Sequence, residues 1–184
     1  MHRCLGGSSI PESNFQPVEP FSPHHKKLRA AFFCGSVELD KYFKERATQD
    51  IDRRAAAVYV LLADNRIAGY YTLSADNIDA RDLPAGLVAQ LNLPRYPYIG
   101  ATFIGRLARD LAYKGSGVGE LLLVDALKKS LSMSRDIASV AVVVDAKDAR
   151  AQQFYVDFGF TPFPDSMKKR LFLPMVTIEK TFAR

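Results

Sequence analysis

AYKGSGVGELLLVDALKK, residues 112–129, is the stretch from which the rest of the chain can be read. Gly115, Gly117 and Gly119 alternate with Ser116 and Val118. Glycine at such positions permits positive φ and close approach of a backbone to a bulky group. From Glu120 the pattern is helical, with Leu123, Leu127 and Leu131 recurring every four residues. Before the loop, Ala101–Ala108 is apolar and β-branched enough for a strand. The order strand, glycine loop, helix aims free N–H groups and the positive end of a helix dipole into the loop, which suits an anion such as a phosphate. The ATP-type GxxxxGK[ST] pattern is absent, and the spacing is one residue short of GxGxxG. A glycine-rich turn without a ligand fits these residues as well.

Outward from the loop, Val37, Leu39, Tyr42, Phe43 and Ala47 form a helical stripe, with Ser36 as its expected cap. Ala56–Ala63 and Ile67–Ala75 read as a hairpin turning at Asp64-Asn65. Residues 76–97 are polar and proline-punctuated, with room for a short helix over Gly86–Leu91. Ala138–Asp145 reads as a strand buried on both faces, and Asp148–Phe158 as a helix closed by Gly159. The tail Arg170–Thr181 is expected to be strand-like, with Val176, Ile178 and Phe182 on one face. The fold class is therefore α/β (α+β), a central mixed β-sheet flanked by helices, with a hairpin first and a βαβ unit later.

The 184 residues suit one domain, and the formal charge is +5. No apolar run approaches the roughly 20 residues of a bilayer span, and Met1–Glu19 has no signal-peptide apolar core. No membrane association is expected. Cys4 and Cys34 are too few for a disulfide framework, and His2, His24 and His25 lack metal-ligand spacing from them, so no metal is expected. The setting these features suit is the reducing cytoplasm. Lys26, Lys27, Arg53, Arg54, Lys168, Lys169 and Arg170 fall in basic clusters. Such clusters are either a polyanion footprint or simply solvated faces.

Lys114-Gly115-Ser116-Gly117-Val118-Gly119 resembles the acetyl-coenzyme A loop of the GNAT superfamily of N-acetyltransferases, with Lys where that motif begins with Arg or Gln. Phe154-Tyr155-Val156-Asp157-Phe158-Gly159-Phe160 resembles the family's FYxxxGF segment, at the same order and spacing. Phe33–Leu39, Ala68–Ser74 and Ile104–Ala108 are similar to the GNAT-type toxins of bacterial toxin–antitoxin pairs. The resemblance implies a single GNAT-like domain over residues 24–184, preceded by a flexible lead and first strand over residues 1–23. It implies splayed strands holding acetyl-CoA, with the backbone of Leu107, Ala108 and Arg109 pairing with the pantetheine arm. Lys114–Gly119 would wrap the pyrophosphate, and Tyr155 would stand near the sulfur. Toxins of this group acetylate the amino acid on charged tRNA and stop translation. Their antitoxins are typically small DNA-binding proteins, here expected to be of ribbon-helix-helix type.

Acetyl transfer from a thioester requires a neutral amine, a stabilised oxyanion and a proton for the leaving thiolate. A phenol of pKa about 10 can supply that proton at neutral pH. Tyr155 is the candidate general acid, although its place on the stripe with Ala151 and Phe158 also suits a core aromatic. No general base is evident: the strand before the loop offers no carboxylate until Asp110. An α-amine, pKa about 7.7–8, is substantially neutral at pH 7, unlike a lysine amine at about 10.4. That favours an α-amino substrate, and the basic clusters favour aminoacyl-tRNA as its carrier. A homodimer would extend the basic surface. Acetylation of a small amine or a protein amine, and a noncatalytic module binding coenzyme A or a partner, are the competing readings.

Overall fold

In the computed structural model, residues 14–90, 93, 96–164 and 169–183 are described. Strands β2 (Ala57–Ala63) and β3 (Arg66–Asp79) pair as the expected hairpin. Asp64 and Asn65 both take positive φ, 50° and 57°. That is the geometry of a tight turn matching the strand twist, and short polar residues tolerate it. β3 runs past Ala75 to Asp79 because β4 (Tyr98–Arg109) pairs along it, from Gly69 opposite Arg109 to Asp79 opposite Tyr98.

On the other side of β4 lie β5 (Ala141–Ala146), β7 (Lys169–Pro174) and β6 (Thr161–Pro162). The short β1 (Glu19–Pro20) closes the opposite edge, giving the order β1-β2-β3-β4-β5-β7-β6. Among these strands only the β4–β5 pair is parallel. A parallel pair needs a long crossover, supplied by α5 (Val118–Met133). Upstream of the hairpin, Phe15 bridges to Ala63 and the Phe21 N–H donates to the Val58 carbonyl, so this segment follows β2.

Helices cover both faces. α5 joins α6 (Ala149–Asp157) and α7 (Met175–Phe182) on one face. Leu122, Leu123, Leu127, Tyr155 and Ile178 pack there onto Tyr71, Val142 and Val144. On the other face lie α1 (Lys26–Arg29), α2 (Val37–Lys41) and α3 (Ala47–Asp52). A π-turn over Tyr42–Arg46 links α2 to α3. The wider turn lets two successive aromatics, Tyr42 and Phe43, both face inward. Phe43 then stacks on Tyr70 at 4.2 Å and 6°.

Three expectations are corrected. The tail does not continue as a strand: β7 ends at Pro174 and α7 follows. Met175, Ile178 and Phe182, at helical spacing, contact the core, whereas Val176 is exposed. Proline cannot donate to a ladder, but it starts a helix readily. Ser36 precedes α2, yet its hydroxyl makes no capping bond; Asp40 Oδ1 instead accepts the Cys34 N–H at 2.8 Å. β5 begins at Ala141, because Ala138 turns at φ 52° and the Ser139 hydroxyl bonds Thr102 at 2.9 Å. In the 76–97 connection, α4 spans Ala85–Gln90; Leu91, the last residue of the expected helix, lies outside the described residues.

Candidate active site

β4 and β5 are paired only where Thr102–Ile104 meet Val142–Val144, although β4 continues to Arg109 and β5 to Ala146. Beyond Ile104 the strands part, and the β5-facing backbone of β4 lacks a strand partner. β4 also carries an extra residue here: Arg106 faces Thr72 and Ile104 faces Leu73, leaving Gly105 as a bulge. A Cβ at Gly105 would meet the Thr72 hydroxyl at 3.2 Å and the Phe103 ring at 3.3 Å. The bulge reverses the alternation of side chains, so Ile104 and Leu107, three apart, both pack on the α5 side. Between the parted strands is a cleft of about 410 Å³, lined by Gly105–Arg109, by Asp145–Asp148 and by Tyr155. Its size suits a cofactor or substrate site.

The glycine loop adjoins this cleft through Lys114, which contributes to the lining. Tyr113 anchors it by donating its phenol to the Ala63 carbonyl at 3.0 Å. Gly115 and Gly117 take φ 80° and 78°, and a Cβ on either would meet nothing within 4 Å. Conformation rather than space therefore calls for glycine here. Gly117 is the N-cap of α5. The N–H groups of Gly117, Val118, Gly119 and Glu120 find no backbone acceptor among the described residues. They form a concentrated donor site at the positive end of a 16-residue helix. The Val118 side chain is buried, so that residue offers only its N–H. The Ser116 hydroxyl is already donating to the Tyr113 carbonyl at 2.6 Å.

Tyr155 reaches the cleft from α6, which Asp148 caps by accepting the Ala151 N–H at 2.7 Å. Its ring packs edge-on against Phe154 and Phe160, and only 8 % of the residue is exposed. Burial pushes its phenol above the ordinary tyrosine value. The group therefore holds its proton at neutral pH. Tyr155 is thus a packed aromatic that also lines the cleft. Cys34 lines the cleft as well; burial, ahead of the neighbouring Asp40, pushes its thiol up to about 11, and it stays protonated.

The basic residues singled out from sequence are dispersed. Lys26 and Lys27 lie exposed on α1; Arg53 and Arg54 are exposed after α3. Lys169 and Arg170 lie on β7, and Lys168 lies outside the described residues. β2, which follows Arg54, and β7 are four strand positions apart, roughly 19 Å at ordinary strand spacing. Arg170 is held within the fold by Asp76 and by Asp145, the latter at 3.5 Å. The cations that do converge on the cleft are Arg106, Arg109, Lys114, Lys147 and Arg150. Arg106 stacks 3.5 Å over the Tyr42 ring. Arg106, Lys147 and Arg150 escaped the sequence reading because they belong to no basic run. Lys147 and Arg150 do flank the predicted start of α6, which was the available signal.

Glu19, His24 and His25 also gather. His25 Nδ1 accepts the Ser22 N–H at 3.0 Å, so Nε2 carries the proton and donates to Glu19 at 2.8 Å. That nitrogen has no lone pair to offer a metal, and the trio secures the segment preceding α1.

Residues 35–182 match the family described as "Acetyltransferase (GNAT) domain". The chain belongs to this family and is an acetyltransferase of the GNAT fold. Among curated proteins it is 33% identical over 170 residues to the "Probable toxin TacT" of Sinorhizobium fredii, covering 88% of this chain and 92% of that one. It is 28% identical over 134 residues to the "tRNA-acetylating toxin" of Mycobacterium tuberculosis, covering 73% and 78%. Among solved structures, a Tyr-to-Phe mutant of KacT matches with TM-score 0.83 and 26% identity over 91% of this chain and 99% of that one. AtaTR bound with AcCoA matches with TM-score 0.77 and 25% identity over 91% and 98%. No helix among the described residues is long and apolar enough to cross a membrane.

Proposed function

We propose that this enzyme transfers an acetyl group from acetyl-CoA to the α-amino group of the amino acid on charged tRNA, and so acts as a toxin that arrests translation. The observation that carries the reading is the cleft between β4 and β5, with Lys114 of the glycine loop and Tyr155 in its lining and, following Lys114, an α5 N-terminus whose first N–H groups have no backbone acceptor among the described residues. Acetyl-CoA, when bound, supplies the acetyl group as a thioester. The N–H groups of Gly117–Glu120 and the Lys114 charge hold the pyrophosphate. The β5-facing backbone groups within Leu107–Arg109, free of a strand partner on that side, would pair with the pantetheine arm as a further strand would. With acetyl-CoA bound, Tyr155 would give its phenolic proton to the departing thiolate and take back the proton shed by the acylated amine nitrogen.

Three features support charged tRNA as acceptor. Asp110, the carboxylate closest in sequence to β4, accepts the Phe33 and Ala112 N–H groups at 2.9 and 2.8 Å. It is thereby committed to structure, which favours an amine that is already partly neutral. Arg106, Lys147 and Arg150 give the cleft a cationic wall suited to the phosphates of a tRNA acceptor end. Both curated relatives named above are called toxins, and one of them tRNA-acetylating. The partners in this reading are a second copy of the chain and a ribbon-helix-helix antitoxin that covers the cleft, and the setting is the cytoplasm.

The test is transfer of labelled acetyl from acetyl-CoA to a mixture of charged tRNA, deacylated tRNA and extract protein. Label on charged tRNA, released by mild alkali as an N-acetyl amino acid, supports the proposal. Label on protein or a small amine keeps the acetyltransferase and discards translation as its target.

A further inference from the structure

A transferase must hold the incoming amine as well as the acetyl donor, and none of the residues discussed so far does so. Two carboxylates line the cleft, Asp145 and Asp148. Asp148 is engaged in capping α6. Asp145 is the penultimate residue of β5, where that strand leaves β4. Its neighbours Val144 and Ala146 pack with Tyr155 on the α5 side of the sheet, whereas Val143 packs in the cluster on the opposite side. Strand alternation therefore places Asp145 on the face of β5 opposite Tyr155, with both residues lining the cleft.

Asp145 is also held in place. Arg170, its cross-strand partner on β7, reaches its Oδ1 at 3.5 Å with one guanidinium nitrogen and binds Asp76 Oδ2 with the other. The Phe103 and Phe163 rings lie 5.8 and 6.0 Å from the same guanidinium. The three ionised side chains are each about a quarter to a third exposed. Two carboxylates against one guanidinium leave a net charge of −1. Of the three only Asp145 lines the cleft, while Asp76 and Arg170 line a neighbouring pocket; Asp145 thus brings a carboxylate to a cleft whose other charged lining residues, Asp148 aside, are all basic.

We infer that Asp145 is the amine-orienting residue of this enzyme, and that Arg170, anchored by Asp76, positions it. The ligand is a primary amine, on the proposed reading the α-amino group of aminoacyl-tRNA. Asp145 Oδ2 accepts an N–H of that amine on the face of the sheet away from Tyr155 and turns the nitrogen lone pair toward the parted strands. Amine and proton donor then address the thioester from opposite sides. This explains how a cleft rich in cations, built to attract phosphates, admits an amine that is partly protonated at neutral pH.

The inference rests on the proposed function, and its test separates the two. Binding is measured for three forms of one tRNA pool: charged, deacylated, and charged but N-acetylated, the last lacking a free primary amine. The wild type is expected to prefer the charged form by about tenfold, the order of one hydrogen bond to a charged group. Asp145→Asn is expected to reduce that preference below about twofold while acetyl-CoA affinity and melting temperature hold. Asp145→Glu restores part of the preference. Arg170→Lys retains more of it than Arg170→Ala, since either cation can hold the carboxylate. Undiminished preference in Asp145→Asn overturns the inference, as does a parallel loss of acetyl-CoA binding. If Asp145→Asn does not fold, Asp145→Glu decides: preference for the charged form supports the assignment, and none rejects it. If the wild type transfers acetyl to no charged tRNA, the functional proposal falls by itself. The same variants are then assayed for KM on glycinamide, where a rise confined to that amine upholds the role of Asp145 and an unchanged KM refutes it.

Discussion

Tyr71 donates its phenol to Asp125 Oδ2 at 2.5 Å, tying the middle of β3 to α5, the helix whose N-terminus forms the glycine-loop site. Burial, reinforced by the hydrogen bond to Asp125, holds the Tyr71 phenol far above its ordinary value. Tyr59 stacks on Tyr71 at 5.0 Å, and the Lys129 ammonium lies 4.7 Å from the Tyr59 ring. The helix is thus fixed to the sheet by a polar contact as well as by its leucines.

Asp125→Ala removes the acceptor and leaves a buried phenol unsatisfied. It is expected to destabilise the fold by about 1–3 kcal/mol, with Tyr71→Phe milder because the half-buried Asp125 carboxylate it leaves behind can be hydrated. Chemical denaturation of the two variants and of the double mutant measures their coupling; additive effects would show that the bond contributes nothing of its own.

Gly117 and Gly119 should respond differently to alanine. At Gly117, φ 78° makes any side chain strained, at about 1–2 kcal/mol, so Gly117→Ala lowers the melting temperature and weakens acetyl-CoA binding together. Gly119 lies within α5, and an added Cβ meets only the Phe154 ring, at 3.8 Å. Gly119→Ala therefore keeps or raises the melting temperature, helix propensity favouring alanine by about 1 kcal/mol. Loss of acetyl-CoA affinity in that variant, read by calorimetry, reports close approach of the ligand to the backbone. Unchanged affinity would place the ligand elsewhere.

Tyr155→Phe keeps the ring packed against Phe154 and Phe160 and removes the proton. The expected result is a fall in turnover of about 100-fold or more, with acetyl-CoA affinity and melting temperature unchanged. pH dependence adds a second check. The folded phenol titrates above the ordinary tyrosine value of about 10, so the wild-type rate should show no basic limb from loss of this proton between pH 8 and 10. The same raised value contributes stability that is complete below pH 10 and is lost as pH rises through the folded value. Tyr155→Phe should accordingly lessen the alkaline loss of stability above pH 10. Wild-type turnover by the phenylalanine variant would remove Tyr155 from the mechanism.

The cations lining the cleft should matter more to a tRNA substrate than those in the basic runs. Arg150→Glu or Lys147→Glu is expected to weaken tRNA binding and to flatten its salt dependence, each lost phosphate contact reducing the log–log slope by about 1. The pair Lys26→Glu and Lys27→Glu, on α1, should do so less. The measurement is tRNA affinity over a salt series, and a stronger effect from the α1 pair would move the interface to that face.

Local signals carried much of the architecture. The Asp64-Asn65 turn, the alternation of glycines ahead of α5 and the stripe of α6 are all short-range patterns, and the backbone follows them. The tail was misjudged because Val176 and Ile178 fit a two-residue period, whereas the contacts of Met175, Ile178 and Phe182 follow the helical one. Only the position of the core chooses between the two periods.

What the sequence determined by itself was the hairpin, the donor-rich loop with its helix and the aromatic pair Phe154-Tyr155, since each depends on residues close together in the chain. The tertiary structure decided which charges act together. Parting β4 from β5 brings Arg106, Lys147 and Arg150 into one cleft from two separate segments, while pairing β5 with β7 turns Arg170 inward to Asp145. Charges interact through space, and their distances are set by strand pairing across tens of residues, which no local pattern encodes.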